Sequence, residues 1–362
     1  MKPASTPLLL AGSLLMASHA LAAKSTDQEI AELKQRIEAL EQRRSSQPSG
    51  NSLNWSGALE LEASYLNNYN GDSSTDLVVA TAFLAVEKQL QPNLVAAMSF
   101  LYEEDDTPFD LDEAYLTYGV NEHVAVTGGQ IYLPFGQYPT AVISDPLTLD
   151  LGETLATAAM LSYGKDDYEL HGYVFRGNSN TDGDAIETFG GRLHKNFSYQ
   201  DGAGFFSVDF ISNLLSSDSL SDAGVDFDDK APGIAVATHW ENQAWGASAE
   251  YVSALKDIDS EAPGLVGDKK PATWHLECFF HQPISSYDVT LAASVQHSKD
   301  ALLLGLPEWR WVVSASTPIF SNLAVSAQLF ADEDYGKNAD MAGINGSGDN
   351  ARGLILQIAA EL

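Results

Sequence analysis

Residues Asp110–Thr157 read DLDEAYLTYGVNEHVAVTGGQIYLPFGQYPTAVISDPLTLDLGETLAT. Two short alternating runs, Ala114–Tyr118 and His123–Tyr132, are joined by a minimal turn at Val120–Asn121. A long connection follows, Leu133–Thr157, with Pro134, Pro139 and Pro146, the aromatics Phe135 and Tyr138, and the apolar patch Ala141, Val142 and Ile143. Its acids, Asp145, Asp150 and Glu153, are spaced apart. A connection this long, stiffened by proline and carrying its own apolar side chains, is expected to pack onto something and to be functional.

The period-two pattern extends outward from this stretch, from Leu53 to the end of the chain. Trp55, Leu59, Leu61 and Tyr65 alternate with Ser56, Glu60, Glu62 and Ser64. Trp274, Leu276, Cys278 and Phe280 alternate with His275, Glu277 and His281, and Leu354, Leu356 and Ile358 with Gln357. Runs of about ten residues with one apolar face and aromatics toward their ends fit transmembrane β-strands, with lipid outside and water inside. A soluble sandwich also alternates. The connections favour the barrel. Tight turns (Gln89–Asn93, Val120–Asn121, Lys165–Asp167, Ser198–Ala203, Glu241–Gln243, Gln282–Ser285, Pro318–Asn322) take turns with longer Asp/Gly/Ser-rich segments (Asn67–Thr75, Leu133–Thr157, Gly177–Ala185, Ser216–Ala231, Lys256–Pro271, Asp332–Asn350). Short periplasmic turns and long external loops are how outer-membrane barrels are built. The expected fold is all-β, a porin-like antiparallel barrel of about sixteen strands over 53–362. Leu133–Thr157 becomes its third external loop, which by analogy with sixteen-stranded porins is expected to fold inward as a constriction.

Bulk properties agree. The chain has 362 residues, 19 Lys and Arg against 50 Asp and Glu, and a formal net charge of −31. So acidic a chain lacks the basic face that nucleic acid requires. After the first two dozen residues no apolar run approaches the roughly 18 needed by a spanning helix. Cys278 is the single cysteine, so no intrachain disulfide forms. Residues 1–23 have the layout of a secretory signal, with Lys2, the apolar core Leu8–Met16 and the cleavage site Ala20-Leu21-Ala22. In 24–44, Ile30, Leu33, Ile37 and Leu40 take the apolar heptad positions of a short periplasmic coiled coil. By analogy with trimeric porins it suggests a homotrimer. Residues 45–52 are a linker of breakers.

DEAYLTYG (Asp112–Gly119) and GQIYLPFGQYPTAVISDPLTLDLGET (Gly129–Thr154) resemble the LbtU-type siderophore porins of Gram-negative bacteria. The order signal peptide, coiled coil, barrel is similar too. The resemblance implies an outer-membrane location and passage of an iron–siderophore chelate. The chain departs from many outer-membrane barrels by ending its last strand in Leu362 rather than an aromatic residue.

The chain carries no nucleophile elbow, HExxH, phosphate loop or dinucleotide fingerprint, so neither catalysis nor a cofactor is expected. Gly128-Gly129 reads as a close-approach site. His275 and His281 share a face with Glu277 but lie roughly 20 Å apart along a strand, too far to hold one metal. Lumen candidates are Glu60, Glu62, Arg192, His194, Asp209, Glu241, Glu250, Asp288 and Arg310. Acids outweigh bases among them, which favours cations or neutral and mixed-charge solutes. Substrate-facing residues of the constriction are expected to be Tyr132, Phe135, Tyr138, Asp145, Asp150, Glu153, Arg192 and Arg310. Phe135 and Tyr138 either stack a planar solute or pin the loop to the wall. The partners expected are a siderophore or other small polar solute, outer-membrane lipid and lipopolysaccharide. A segment of roughly thirty residues ahead of the first strand is too short for a plug domain. Facilitated diffusion follows, the alternatives being a general diffusion porin and a scaffold or adhesin barrel.

Overall fold

The computed structural model describes residues 53–104, 107–183, 185–259 and 269–362. The expected signal peptide, coiled coil and linker lie outside these residues. The strands are β1 (Leu53–Asn67), β2 (Ser73–Gln91), β3 (Leu94–Tyr102), β4 (Asp110–Gly119), β5 (Val124–Tyr132), β6 (Leu155–Lys165), β7 (Tyr168–Phe175) and β8 (Thr188–Tyr199). They continue as β9 (Gly202–Ile211), β10 (Gly233–Glu241), β11 (Trp245–Ala254), β12 (Ala272–Ile284), β13 (Tyr287–Lys299), β14 (Trp309–Phe320) and β15 (Leu323–Glu333). A two-residue hairpin, β16 (Asp340–Met341) and β17 (Ile344–Asn345), decorates the last loop before β18 (Asn350–Glu361). Sixteen of these form one closed antiparallel barrel, shut by β1 against β18 from Ala58↔Glu361 to Asn67↔Arg352. Closure leaves no strand edge unpaired, which a lipid environment demands.

One face of each strand meets lipid. Leu59, Leu116, Leu161, Leu276, Leu291, Leu356 and Ile358 are all exposed on the outside. Trp55, Tyr163, Tyr199, Trp245 and Tyr287 are exposed near one rim and Tyr65, Phe189, Tyr251 and Trp311 near the other, as an interfacial girdle requires. Cys278 is exposed on this outer face. Many inward positions are small or polar, among them Ser207, Ser248, Ser294, Gln296 and Gln328.

Short turns and long loops occupy opposite ends, with two additions to the sequence reading. The connections 103–109 and 300–308 complete the external set; the first is a short acidic run, EEDDTPF, and the second, DALLLGLPE, is largely apolar. The third loop runs 133–154, because β6 begins at Leu155. Gly129 adopts φ +147°, and a Cβ there would sit 2.2 Å from the Ala114 carbonyl oxygen, so only glycine lets β5 pass β4 this closely. The external half of the barrel is filled on one side. Leu133, Phe135 and Leu151 of the third loop, Leu214, Leu215 and Leu220 of the fifth, and Leu302 and Tyr335 further on pack with inward residues Phe175, Ile211, Ala235 and Val252.

Candidate functional site

The third loop does not cross the lumen freely. It lies along the inner wall, and the wall supplies an acceptor for one loop donor after another. Asp209 Oδ2 of β9 accepts from the Gly136 amide (2.8 Å). Glu250 of β11 accepts from the amides of Gln137 (2.6 Å) and Tyr138 (3.1 Å) and from the Thr148 hydroxyl (2.7 Å). Glu277 of β12 takes the Ala141 amide (2.6 Å) and the Thr140 hydroxyl (2.9 Å). Gln328 of β15 takes the Ile143 amide (2.7 Å), and Gln296 of β13 the Leu147 amide (2.9 Å). A loop rich in proline has few backbone partners of its own, so buried N–H groups must find side-chain acceptors or incur a desolvation cost.

Within the loop, Leu147–Gly152 forms the short helix α1, entered from Pro146. Leu147 and Leu151, one turn apart, are its buried face. Tyr138 folds back so that its hydroxyl donates to the Phe135 carbonyl oxygen (2.6 Å). A Cβ on Gly136, whose φ is +81°, would strike the Tyr138 ring at 2.2 Å. The structure thus places Phe135, 1% exposed, and Tyr138 in the packing that pins the loop. Phe135 therefore has no face free to stack a solute, which leaves it the wall-pinning alternative, and Tyr138 is partly buried against the same packing.

The basic candidates are likewise engaged. Arg192 donates from Nε and Nη2 to both oxygens of Asp209 at 3.0 and 2.9 Å, and also to the Gly136 carbonyl. Arg310 makes the same bidentate pair with Asp332, both contacts at 2.9 Å. Each pair joins directly opposed residues of neighbouring strands. Arg192 is therefore a loop anchor rather than a solute contact. Arg310 stays near enough to Asp150 to oppose its protonation.

Asp209→Ala would leave a guanidinium that is 13% exposed without its counter-charge and the Gly136 amide without an acceptor. The expected loss is about 3–5 kcal/mol. It would appear as a lower temperature at which the barrel stops migrating as a compact species in detergent gels. Asp209→Asn, which keeps an acceptor, should lose less. A wild-type transition in the alanine variant would refute the anchoring role.

What faces the remaining opening is acidic. Tyr132 is on the wall there, its hydroxyl donating to Asp112 (2.8 Å) and its amide to Glu113 (3.2 Å). Glu60 and Glu62 of β1 share the Gln357 amide nitrogen at 3.2 and 2.9 Å. Opposite stand the loop acids. Enclosure by protein, then Asp150, Glu103, Glu60 and Glu62, push the Asp145 carboxyl up to about 7. Asp145 is itself open to lumen water, which screens part of that effect. Burial raises Asp150 to about 6 against the pull of Arg310. Burial, Asp218 and Asp145 raise Glu153 to about 8. Asp218, whose carboxylate accepts the Leu155 amide (3.1 Å), rises to about 7 through burial. Carboxylates crowded into one narrowing hold protons that isolated ones would release. Cations relieve the same repulsion.

Sequence reading found the loop acids and the wall acids Glu60, Glu62, Asp209 and Glu250. It missed Gln296 and Gln328 as anchors and Glu103, Asp112, Glu113 and Asp218 around the eyelet. Their positions in inward strand register or in neighbouring loops were legible, but which of them face the loop depends on barrel closure. His275 is buried beneath the loop with its Nε2 3.5 Å from Glu277 Oε2, and is no solvated lumen residue.

No protein-family profile matches the chain. It is similar to a UPF0422 protein of Coxiella burnetii, 26% identical over 308 residues, covering 80% of this chain and 66% of the relative. A UPF0422 protein of Legionella pneumophila is 22% identical over 315 residues, covering 78% and 59%. The chain thus spans less than two thirds of the length of these relatives. Among solved structures, the outer-membrane channel DcaP of Acinetobacter baumannii superposes with TM-score 0.58 at 13% identity, covering 86% of this chain and 98% of that one. An anion-selective porin from Comamonas acidovorans gives 0.60 at 13% identity, covering 86% and 99%. OmpF of Salmonella typhi, in complex with daunomycin, gives 0.61 at 13% identity, covering 86% and 98%. The chain has the fold of the sixteen-stranded outer-membrane porins.

Proposed function

We propose that the protein is an outer-membrane channel that passes small polar solutes by facilitated diffusion and favours those of positive, neutral or mixed charge. The observation that carries this reading is the eyelet. Acids line both the loop and the facing wall, while Arg192 and Arg310 are each held by their own aspartate. A ring of carboxylates in a confined lumen concentrates cations and repels anions.

Within that reading, an iron–siderophore chelate is the solute that the resemblance of Asp112–Gly119 and Gly129–Thr154 supports. The eyelet adds a condition of its own: the chelate should carry no net negative charge. A general diffusion porin is the second reading, favoured by the burial of Phe135 in the packing that pins the loop.

Planar-bilayer recordings with candidate ferric siderophores separate the two. Reversible interruption of the current by neutral or cationic chelates and not by anionic ones supports the siderophore. Indifference to every chelate leaves the general porin.

A further inference from the structure

Just to the periplasmic side of the loop's anchor tier, one arrangement occurs three times. His171 Nδ1 lies 2.9 Å from Ser162 Oγ, His239 Nδ1 2.9 Å from Ser248 Oγ, and His281 Nδ1 3.1 Å from Thr290 Oγ1. In each case the partner is the directly opposed residue across a hairpin. The hydroxyl engages Nδ1 in each case; a cation arriving at Nε2 would select the tautomer in which Nδ1 donates to the hydroxyl and Nε2 carries the lone pair. Beside two of these Nε2 atoms stands a carboxylate two residues away on the same strand: Glu169 Oε2 at 3.9 Å from His171 and Glu241 Oε2 at 3.6 Å from His239. Both imidazoles remain partly open, at 13% and 19% exposure.

The His239 ring is also held in place by stacking. His194 stacks on Phe205 at 5.0 Å, Phe205 on His239 at 5.8 Å, and His239 on Phe279 at 5.9 Å. Rings stacked along the wall cover one another's faces and leave their edges, with the nitrogens, to solvent. An imidazole oriented by a hydrogen bond at its far nitrogen is how proteins position a transition-metal ligand, and the carboxylate beside the near nitrogen offers a second one.

We propose that His171 with Glu169, and His239 with Glu241, are two transit stations for hydrated divalent transition-metal cations such as Zn²⁺, Ni²⁺ or Co²⁺. This rests on the open, water-filled lumen of the proposed function. Imidazole selects these ions over Mg²⁺ and Ca²⁺, which prefer all-oxygen sites. Among the described residues no three His, Cys, Asp or Glu side chains converge on one point. Each station therefore offers two protein ligands, and water completes the shell. Two ligands bind weakly, which suits passage: an ion must bind well enough to enter and loosely enough to leave. The acidic eyelet above raises the local cation concentration, and the stations add the discrimination that carboxylates alone do not provide.

The test uses the full-length protein in two measurements. In a bilayer, Zn²⁺ added on the periplasmic side is expected to reduce the K⁺ current reversibly, while Mg²⁺ at equal concentration does not. His171→Gln/His239→Gln should raise the half-blocking Zn²⁺ concentration about tenfold or more. In detergent, the visible band of Co²⁺ should shift and strengthen relative to that of the free aquo ion, a change the double variant loses; if that variant fails to fold, His171→Gln alone should lose part of it. Equal block by Mg²⁺ and Zn²⁺, or block unchanged in the double variant, overturns the stations and leaves the channel standing. Co²⁺ binding by a folded barrel that never conducts supports the two metal sites but overturns the channel and, with it, their role in transit.

Discussion

Replacing residues 136–152 by a short Gly-Ser bridge is expected to raise the single-channel conductance several-fold and to abolish most charge selectivity. The loop and the packing behind it fill one side of the external half of the barrel, so its removal widens the narrowest section. The barrel should survive the deletion. Its sixteen strands are paired around the full circle without help from the loop. The loop's two ends are already tied by the Leu133 amide to the Thr154 carbonyl oxygen (2.9 Å), so a short bridge can span the gap. Glu250, Glu277, Gln296 and Gln328 would exchange loop donors for water, which suits them equally well. Unit conductance measured in planar bilayers checks this, and a wild-type value from a folded deletion variant would show that the loop does not limit flow.

Neutralising the loop's acids without moving the backbone should separate charge from width. Asp145→Asn/Asp150→Asn/Glu153→Gln is expected to lower the cation-to-anion permeability ratio several-fold while changing unit conductance much less. The wild type should show a related pH dependence. Enclosure holds Asp145 at about 7, Asp150 at about 6 and Glu153 at about 8, so each is neutral below its value and charged above it. Cation preference should thus climb between pH 5 and 9, and the triple variant should flatten most of that rise. Docking of the loop should follow the opposite trend. A docked loop holds protons that a released loop, with ordinary carboxyl values near about 4, gives up, so docking weakens as pH rises from there toward 8. Reversal potentials under a salt gradient report the first effect and protease nicking of the loop the second. A pH-independent reversal potential would mean that these carboxyls do not face the ion path.

Local periodicity made the barrel legible. Lipid-facing Leu59, Leu276 and Leu356 alternate with inward residues because a strand's side chains alternate, and no tertiary knowledge is needed to see it. The third loop, bounded at 133–157 from sequence, was legible through its prolines and apolar patch, and its place inside the barrel through strand counting and analogy with sixteen-stranded porins. What the loop touches was not. Gly136 meets Asp209, 73 positions away, and Ile143 meets Gln328, 185 away, through closure of the whole sheet. The fates of Phe135 and Tyr138 turned on the same contacts: an aromatic in a constriction loop reads alike from sequence whether it faces solute or wall. Helix α1 could have been found, since Pro146 sits at its start and Leu147 and Leu151 have helical spacing. Loop 300–308 is largely apolar and loop 103–109, though acidic, is short and holds neither Gly nor Ser, and their strands had to be counted without them.

The measurement that tests the central claim most directly is the current through the refolded wild-type protein in a planar bilayer under a KCl gradient near pH 8. Stable unitary steps with a reversal potential on the cation-selective side are the predicted result. A demonstrably folded barrel that gives no steps, or steps that reverse on the anion-selective side, would contradict an open channel governed by the acidic eyelet.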